Sequence, residues 1–374
     1  MINYANNDVI VAPDGSWLDF GIEPIIYRVY TTGVHGSITA SPNSGYTGTE
    51  VALSNTPDSG YVFSSYTYTG TGASLSGNLL TIGTSDVHVV GNFEEYVDPY
   101  NPLKLPPNTV RVRTKDGYPP NNPNHYETAT RVSGTADEYD VYRSGTSFED
   151  LLSSCSNVTA VLGANTTGIT NMSHMLGSCY SLTSVPLFDT SSVTDMSIMF
   201  GGCTLLASVP LYDTSNVTNM HAMFTGCSAL TTVPLFNTSK VTDMSSMFSY
   251  ECTSLTTVPL FDTSNVTNMS SMFSNCTSLT TVPLFNTSKV TNMSTMFTIC
   301  TSLTAIPLFD TSSVTNMQAM FNQCYKVESG ALALYQQASS QATPPTSHYS
   351  TFYLCGRDTT TGSAELAQIP SDWK

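Results

Sequence analysis

Positive charge is what this sequence has least of. Twelve Lys and Arg stand against 28 Asp and Glu in 374 residues, a formal net charge of −16. Gripping nucleic-acid phosphates or an anionic membrane takes clustered Lys and Arg, so neither is an expected partner. Charge of either sign is scarce, at 11% of the chain. Ser, Thr and Asn stand in its place, and such a hydroxyl- and amide-rich surface suits an extracellular or particle-surface protein better than a metabolic enzyme. No apolar run approaches the length that crosses a bilayer, so membrane insertion is not expected. The opening stretch MINYANNDVIVAPDGSW has no basic start, apolar segment or cleavage-like site, so it does not read as a signal peptide. The first cysteine is Cys155, which excludes an N-terminal lipid-anchor cysteine.

Catalytic signatures are missing as well. His35, His88, His125, His174, His221 and His348 are scattered, with no carboxylate or nucleophile at a recognisable spacing. No G-x-S-x-G, phosphate-binding glycine loop or H-E-x-x-H occurs. The expectation is a protein that is not an enzyme, with no cofactor and no metal.

What is present is repetition, which is sought before any local pattern. Cys155, Cys179, Cys203, Cys227, Cys252, Cys276, Cys300 and Cys324 follow one another at 24 residues, with a single gap of 25. The extra residue falls at Tyr250–Glu251, where the next copy has Asn275 alone. Well-kept copies start at Asp189, Asp213, Asn237, Asp262 and Asn286, and the flanking copies are degenerate, as terminal repeats that must cover a core would be.

Within one copy, DTSNVTNMSSMFSNCTSLTTVPLF, the apolar period changes. Met269, Met272 and Phe273 fall at i, i+3 and i+4, which predicts a short helical turn with Thr267 or Asn268 as its N-cap. SLTTVPLF predicts a short strand with Leu279 and Val282 inward and Thr281 outward, stopping near Pro283, which has no N–H for a ladder. Asp262 is the expected Asx-turn residue that returns the chain. Strand, turn and short helix in 24 residues predict a leucine-rich-repeat-like coil.

Stacked in register, equivalent cysteines lie about 4.8 Å apart, Cβ to Cβ, beyond the ~3.5–4.5 Å that a disulfide prefers. The eight are therefore expected to be a structural core column of buried, reduced thiols. A straight column also does not converge on a tetrahedral zinc site. The first position of the repeat reads Asp189, Asp213, Asn237, Asp262, Asn286, Asp310, with Lys240 and Lys289 three residues after the two Asn. These lysines are expected to neutralise the acidic column through exposed ion pairs worth at most about 1 kcal/mol each. Thr232, Thr257 and Thr281 form an expected hydroxylated outer face, read either as strand propensity with solubility or as a weak, wide binding surface. Tyr250 and Glu251, the one irregularity, are the other binding candidates.

Ahead of the repeats, residues 34–97 alternate apolar and polar between Gly, Pro and Asn punctuation, predicting an all-β unit of four or five strands. Residues 1–33 are left as an N-terminal docking segment. Residues 98–140 read as a Pro-rich linker leading to the N-terminal cap, with TVRVRT a strand. Residues 141–327 are the repeats and 328–374 the C-terminal cap, with ESGALALYQQASSQ a helix, HYSTFYLCG a strand and Cys355 outside the column.

The residues SSVTNM…MF..C.SL..VPLFDTS resemble the BspA-like leucine-rich repeats of bacterial surface proteins over about residues 141–327. GSITASP, GTEVALSNTP, SGYVF and DVHVVGNF, within 34–97, resemble the divergent internalin-type B-repeat, a small β-grasp-like module. The combined expectation is a mixed α/β chain: a small all-β, β-grasp-like domain, then a leucine-rich-repeat solenoid of about eight coils with degenerate caps. The pairing occurs in adhesins and gut bacteriophage surface proteins, and so implies attachment to a host-surface protein or glycan. Nine unpaired cysteines and no visible export signal favour a virion-surface protein assembled in the reducing host cytoplasm, such as a tail fibre, receptor-binding protein or capsid-attached fibre. In that reading the N-terminal segment docks to virion proteins. A secreted or cell-surface adhesin and a capsid decoration protein without receptor activity are the alternatives; homo-oligomerisation is left open.

Overall fold

A computed structural model describes residues 25–58, 61–95 and 103–374 of the protein. Most of the expected docking segment therefore lies outside the described residues. The chain divides into two compact units, Met1–Val97 and Asp98–Lys374.

The first unit is built from β1 (Tyr27–Gly33), β2 (Gly36–Ser41), β3 (Ser44–Gly45), β4 (Glu50–Pro57), β5 (Tyr61–Thr69), β6 (Ser74–Ser76), β7 (Leu79–Thr81) and β8 (Val87–Glu95). They form two four-stranded sheets, ordered β3-β1-β8-β5 and β2-β4-β7-β6. Only the β1–β8 pair is parallel. Period-two burial explains the strands: Val51 and Leu53 of β4 point inward, while Glu50 and Ala52 are exposed. With Val29, Leu80, Ile82, Val87 and Val89 they make a small core. The described part of the unit holds eight strands rather than four or five, and β1 begins at Tyr27, ahead of the expected boundary at residue 34.

The second unit opens with an antiparallel sheet of β9 (Thr109–Thr114), β10 (Thr128–Arg131), β11 (Glu138–Tyr142) and β12 (Val158–Ala164), ordered β10-β11-β9-β12. Val110, Val112, Val141 and Val158 are fully buried against the first repeats. At the other end are α1 (Ala331–Ser339), inside the expected helix, and α2 (Thr360–Gln368).

The expected mixed α/β leucine-rich-repeat solenoid does not form. Among the described residues the regular structure is predominantly β, in three small and largely antiparallel sheets, and the two α-helices both lie beyond Val327. Between Ile169 and Val327 the repeats contain neither a strand nor a helix; they are turns, joined one to the next by single parallel bridges such as Asp243↔Asn268 and Asn268↔Asn292.

Backbone geometry explains why the helical pattern gives no helix. Ser271 (φ 56°) and Asn275 (φ 66°) are left-handed, and the same two positions recur along the repeats. A right-handed helix cannot run through them. Instead, N–H groups alternate in direction. Those of Met272, Ser274 and Cys276 bond three residues back, to Met269, Ser271 and Phe273. Those of Met269, Ser271, Phe273 and Asn275 cross to the carbonyls of Asn292, Ser294, Met296 and Thr298 in the next repeat. Met269, Met272 and Phe273 are all fully buried, so the apolar spacing correctly marked an inward face. Asn268 accepts the Ser270 N–H (3.1 Å) as an Asx turn, not as a helix cap.

The predicted strand also fails, for a different reason. In LTTVPLF, Leu279 and Phe285 are buried and Val282 is half-buried, an inward period of three, whereas a strand has a period of two. Thr281 is exposed.

Strain at the left-handed positions is measurable. Where other copies place Gly202, Gly226 or Asn275, one copy has Ile299 (φ 62°), a β-branched residue for which this conformation is a true outlier. Ile299→Asn is expected to raise stability by about 1 kcal/mol, since Asn tolerates the left-handed region. Thermal melts of the two proteins would show it, and a lower melting temperature for the variant would count against the strain.

Candidate binding face

The core of the repeats from Phe200 onward holds two columns of rings. Phe200, Phe224, Phe248, Phe273, Phe297, Phe321 and Phe352 stack with centroids 5.2–5.9 Å apart and planes within 11°. Tyr212, Phe236, Phe261, Phe285 and Phe309 form a second column beside it. Trp373 closes the first column against Phe352, at 6.3 Å.

The nine cysteines are free and buried. Each thiol from Cys179 to Cys324 donates to a carbonyl of the repeat before it: Cys300 Sγ lies 3.1 Å from Phe273 O, and Cys276 Sγ 3.0 Å from Phe248 O. Phe273 O also accepts the Cys276 N–H, so the thiol of the following repeat occupies its second lone pair. This accounts for a small side chain with a weak donor at the position. Burial pushes the Cys155 thiol up to about 11 and Cys252 to about 12, and raises the other seven as well. Neutral, hydrogen-bonded thiols of this kind are poor nucleophiles.

Cys355 corrects the sequence reading, because it joins the column. Residues 347–355 are not a strand but one more divergent repeat: Met317, Ala319, Phe321 and Gln323 donate to Ser347, Tyr349, Thr351 and Tyr353. The 31-residue gap from Cys324 disguised it, since α1 is inserted between the two copies.

The acidic column is also held differently from expectation. Asp262 accepts the Ser264 N–H at 3.0 Å, and Asn237 accepts the Ser239 N–H in the same way at 3.2 Å, so Asp and Asn are interchangeable as acceptors. Bonds from the following Ser hold the Asp213, Asp262 and Asp310 carboxyls below their ordinary value. Lys240 and Lys289 donate to Asn216 Oδ1 and Asn265 Oδ1, both 2.7 Å, in the preceding repeat. Neither makes an ion pair with the column among the described residues.

Two columns were not anticipated. Thr190, Thr214, Thr238, Thr263 and Thr287 are buried, and each hydroxyl donates to the next repeat's first carbonyl, as Thr263 does to Asn286 O at 2.8 Å. The signal was available: Thr is constant after an Asp or Asn that varies. The second column is apolar and outside. In Pro-Leu-Phe the Phe N–H bonds two residues back to the Pro carbonyl, as in Phe236 to Pro234 (3.0 Å) and Phe261 to Pro259 (3.0 Å). This γ-turn sends the ring inward and leaves the leucine at the corner. Leu211, Leu235, Leu260, Leu284 and Leu308 are consequently 54–61% exposed.

The residues singled out from sequence lie on the surface. Thr232, Thr257 and Thr281 are exposed, each three positions before a corner leucine. Tyr250 is 73% exposed, and the insertion is absorbed by two consecutive left-handed residues, Tyr250 (φ 50°) and Glu251 (φ 72°). Among the described residues no group of three or more His, Cys, Asp or Glu is placed to hold a metal, and no helix is long and apolar enough to cross a membrane.

A family model described as "Mycoplasma protein of unknown function, DUF285" matches residues 146–251 and again 231–335, together just over half of the chain. The chain belongs to the DUF285 family. The match covers the turn repeats from Cys155 to Cys324 and their leucine column, while Phe352 and Cys355 lie beyond it. A second model, the divergent InlB B-repeat domain, matches residues 27–96 and so coincides with β1–β8 of this DUF285 protein. The two matches fit a BspA-like surface protein. Neither a curated protein nor a solved structure was found to match the chain.

Proposed function

We propose that this DUF285 protein is a non-enzymatic, adhesin-like attachment protein whose repeats present a periodic face to a host-surface protein or glycan. The observation that carries the reading is the pairing, in one chain, of DUF285 repeats with a divergent InlB B-repeat domain. The outward Thr232, Thr257 and Thr281 column and the exposed Tyr250 are the contact residues in this reading. Repeated weak contacts along such a face act by multivalency, with no single deep site.

The finer proposal is a place on a bacteriophage virion, as a tail fibre, receptor-binding protein or capsid-attached fibre. Nine buried, unpaired thiols suit a protein that folds in a reducing cytoplasm and is released by lysis. A bacterial cell-surface adhesin is the second reading, favoured by the Mycoplasma label of the family. Fluorescently labelled protein is expected to bind a panel of candidate host cells saturably, and Thr232, Thr257 and Thr281 changed together to Lys should weaken binding at least tenfold. Absence of binding to every cell tested would replace attachment with a decoration role. Antibody labelling of purified particles against intact cells separates virion from cell surface.

A further inference from the structure

The nine-residue β5, Tyr61–Thr69, is the outer strand of its sheet, and among the described residues only β8 pairs with it. Its other edge is a row of N–H and C=O groups whose complement is another extended chain. Outer strands are ordinarily kept short, or carry charge, proline or a bulge. The other outer strands of this unit, β3, β6 and β2, have two, three and six residues. β5 has no charge and no proline, and its one bulge, at Ser64, leaves Ser65–Thr69 regular.

We propose that a second copy of this chain pairs with β5, antiparallel about a two-fold axis at Thr67, so that two four-stranded sheets become one continuous sheet. The sequence of the regular stretch is the reason. Ser65-Tyr66-Thr67-Tyr68-Thr69 presents the same order of aromatic and hydroxyl residues read in either direction. In this register Tyr66 of each copy faces Tyr68 of the other, Ser65 faces Thr69, and Thr67 faces itself. Aromatic and hydroxyl cross-strand pairs of this kind stabilise a sheet, and no charge is set against another. The faces agree as well. Tyr66 and Tyr68 lie opposite Gly91 and the buried Val89, on the core side, while Thr67 lies opposite the exposed Val90. Tyr68 is among the exposed large apolar residues, and the second strand covers it. A slip of one residue sets core side against outer side. Moving the axis to Tyr66 runs the pairing into the bulge at Ser64. The pairing is isologous, as a two-fold requires.

Sedimentation equilibrium of the full chain in reductant tests this without any host cell, so its failure is distinct from a failure of attachment. Salt at about 0.15 M screens the net charge of −16 that each copy carries. The expected result is a reversible dimer, half formed at about 100 μM, in keeping with a small interface. Thr67→Lys and Thr67→Glu should each weaken it at least tenfold, because like charges then meet across the axis. The thermal melt of either variant should match the parent, since Thr67 is exposed. Mixed in equal amounts, the two variants should associate with each other at least as tightly as the parent does with itself. A chain that stays monomeric up to about 1 mM would overturn the proposal. A dimer indifferent to both charges would overturn it too, by placing the contact elsewhere. Two weakened variants that fail to recover on mixing would refute the register on which it stands.

Discussion

Raising the pH from 8 to 10 is expected to unfold the repeat-bearing unit. An unfolded cysteine ionises near pH 8.5, whereas burial holds all nine folded thiols above that, Cys155 at about 11. Above pH 8.5 the unfolded chain releases protons that the folded chain retains. Stability is therefore fully present below the unfolded value and falls as pH rises, with a slope approaching about 1.4 kcal/mol per thiol per pH unit. Nine thiols together remove on the order of 10 kcal/mol by pH 10, comparable to the whole stability of a typical domain. Tyr212, buried and raised in the same way, adds to the loss. Circular-dichroism melts in reductant from pH 7 to 10.5 should show a flat region and then a drop of tens of degrees. The first unit has no cysteine, so a transition belonging to it would not share this drop. A melting temperature at pH 10 within a few degrees of that at pH 8 would mean that the thiols are not buried as described.

The second large effect is expected from Phe273→Ala. The ring is fully buried and stacks on Phe248 at 5.6 Å and on Phe297 at 5.4 Å, with Phe285 at 6.2 Å on its flank. Removing it leaves a void in the middle of the column, and the neighbouring backbones are tied by the inter-repeat hydrogen bonds, so collapse is limited. The cost should be about 3–5 kcal/mol, of which each lost ring pair contributes roughly 0.5–1.5 kcal/mol beyond area burial. Phe273→Leu fills most of the space and should cost about 1.5 kcal/mol or less. Urea titration reads both as shifts of the midpoint. A reduced slope for Phe273→Ala alone would show the two halves of the stack unfolding separately. A loss under 1 kcal/mol would show that the column is not the unit's main support.

How much was legible depended on which physical rule the residues obey. Burial was legible: Met269, Met272, Phe273, Cys276 and Leu279 all face the core, because apolar side chains separate from water whatever the backbone does. Local conformation was not. The i, i+3, i+4 spacing of Met269, Met272 and Phe273 fits a helical turn and the observed turn ladder equally well, and nothing in Ser271 announces a positive φ. Lys240 was assigned to the acidic column on charge alone. The structure gives it to the amide of Asn216, one repeat back, at 2.7 Å. The exposed leucines were missed because a leucine in VPLF reads as core unless the Pro-Leu-Phe γ-turn is known.

By itself the sequence determined the 24-residue period, the inward residues and the burial of the repeated cysteines, since each follows from repetition and hydrophobicity along the chain. Only the tertiary structure decided that the repeats are turns and not strand and helix, that Cys355 belongs to the column, and that leucines line the outside. The physical reason is common to all three. Each repeat satisfies many of its backbone groups in the neighbouring copies, so its conformation is set by hydrogen bonds between residues about 24 apart, which no local pattern encodes.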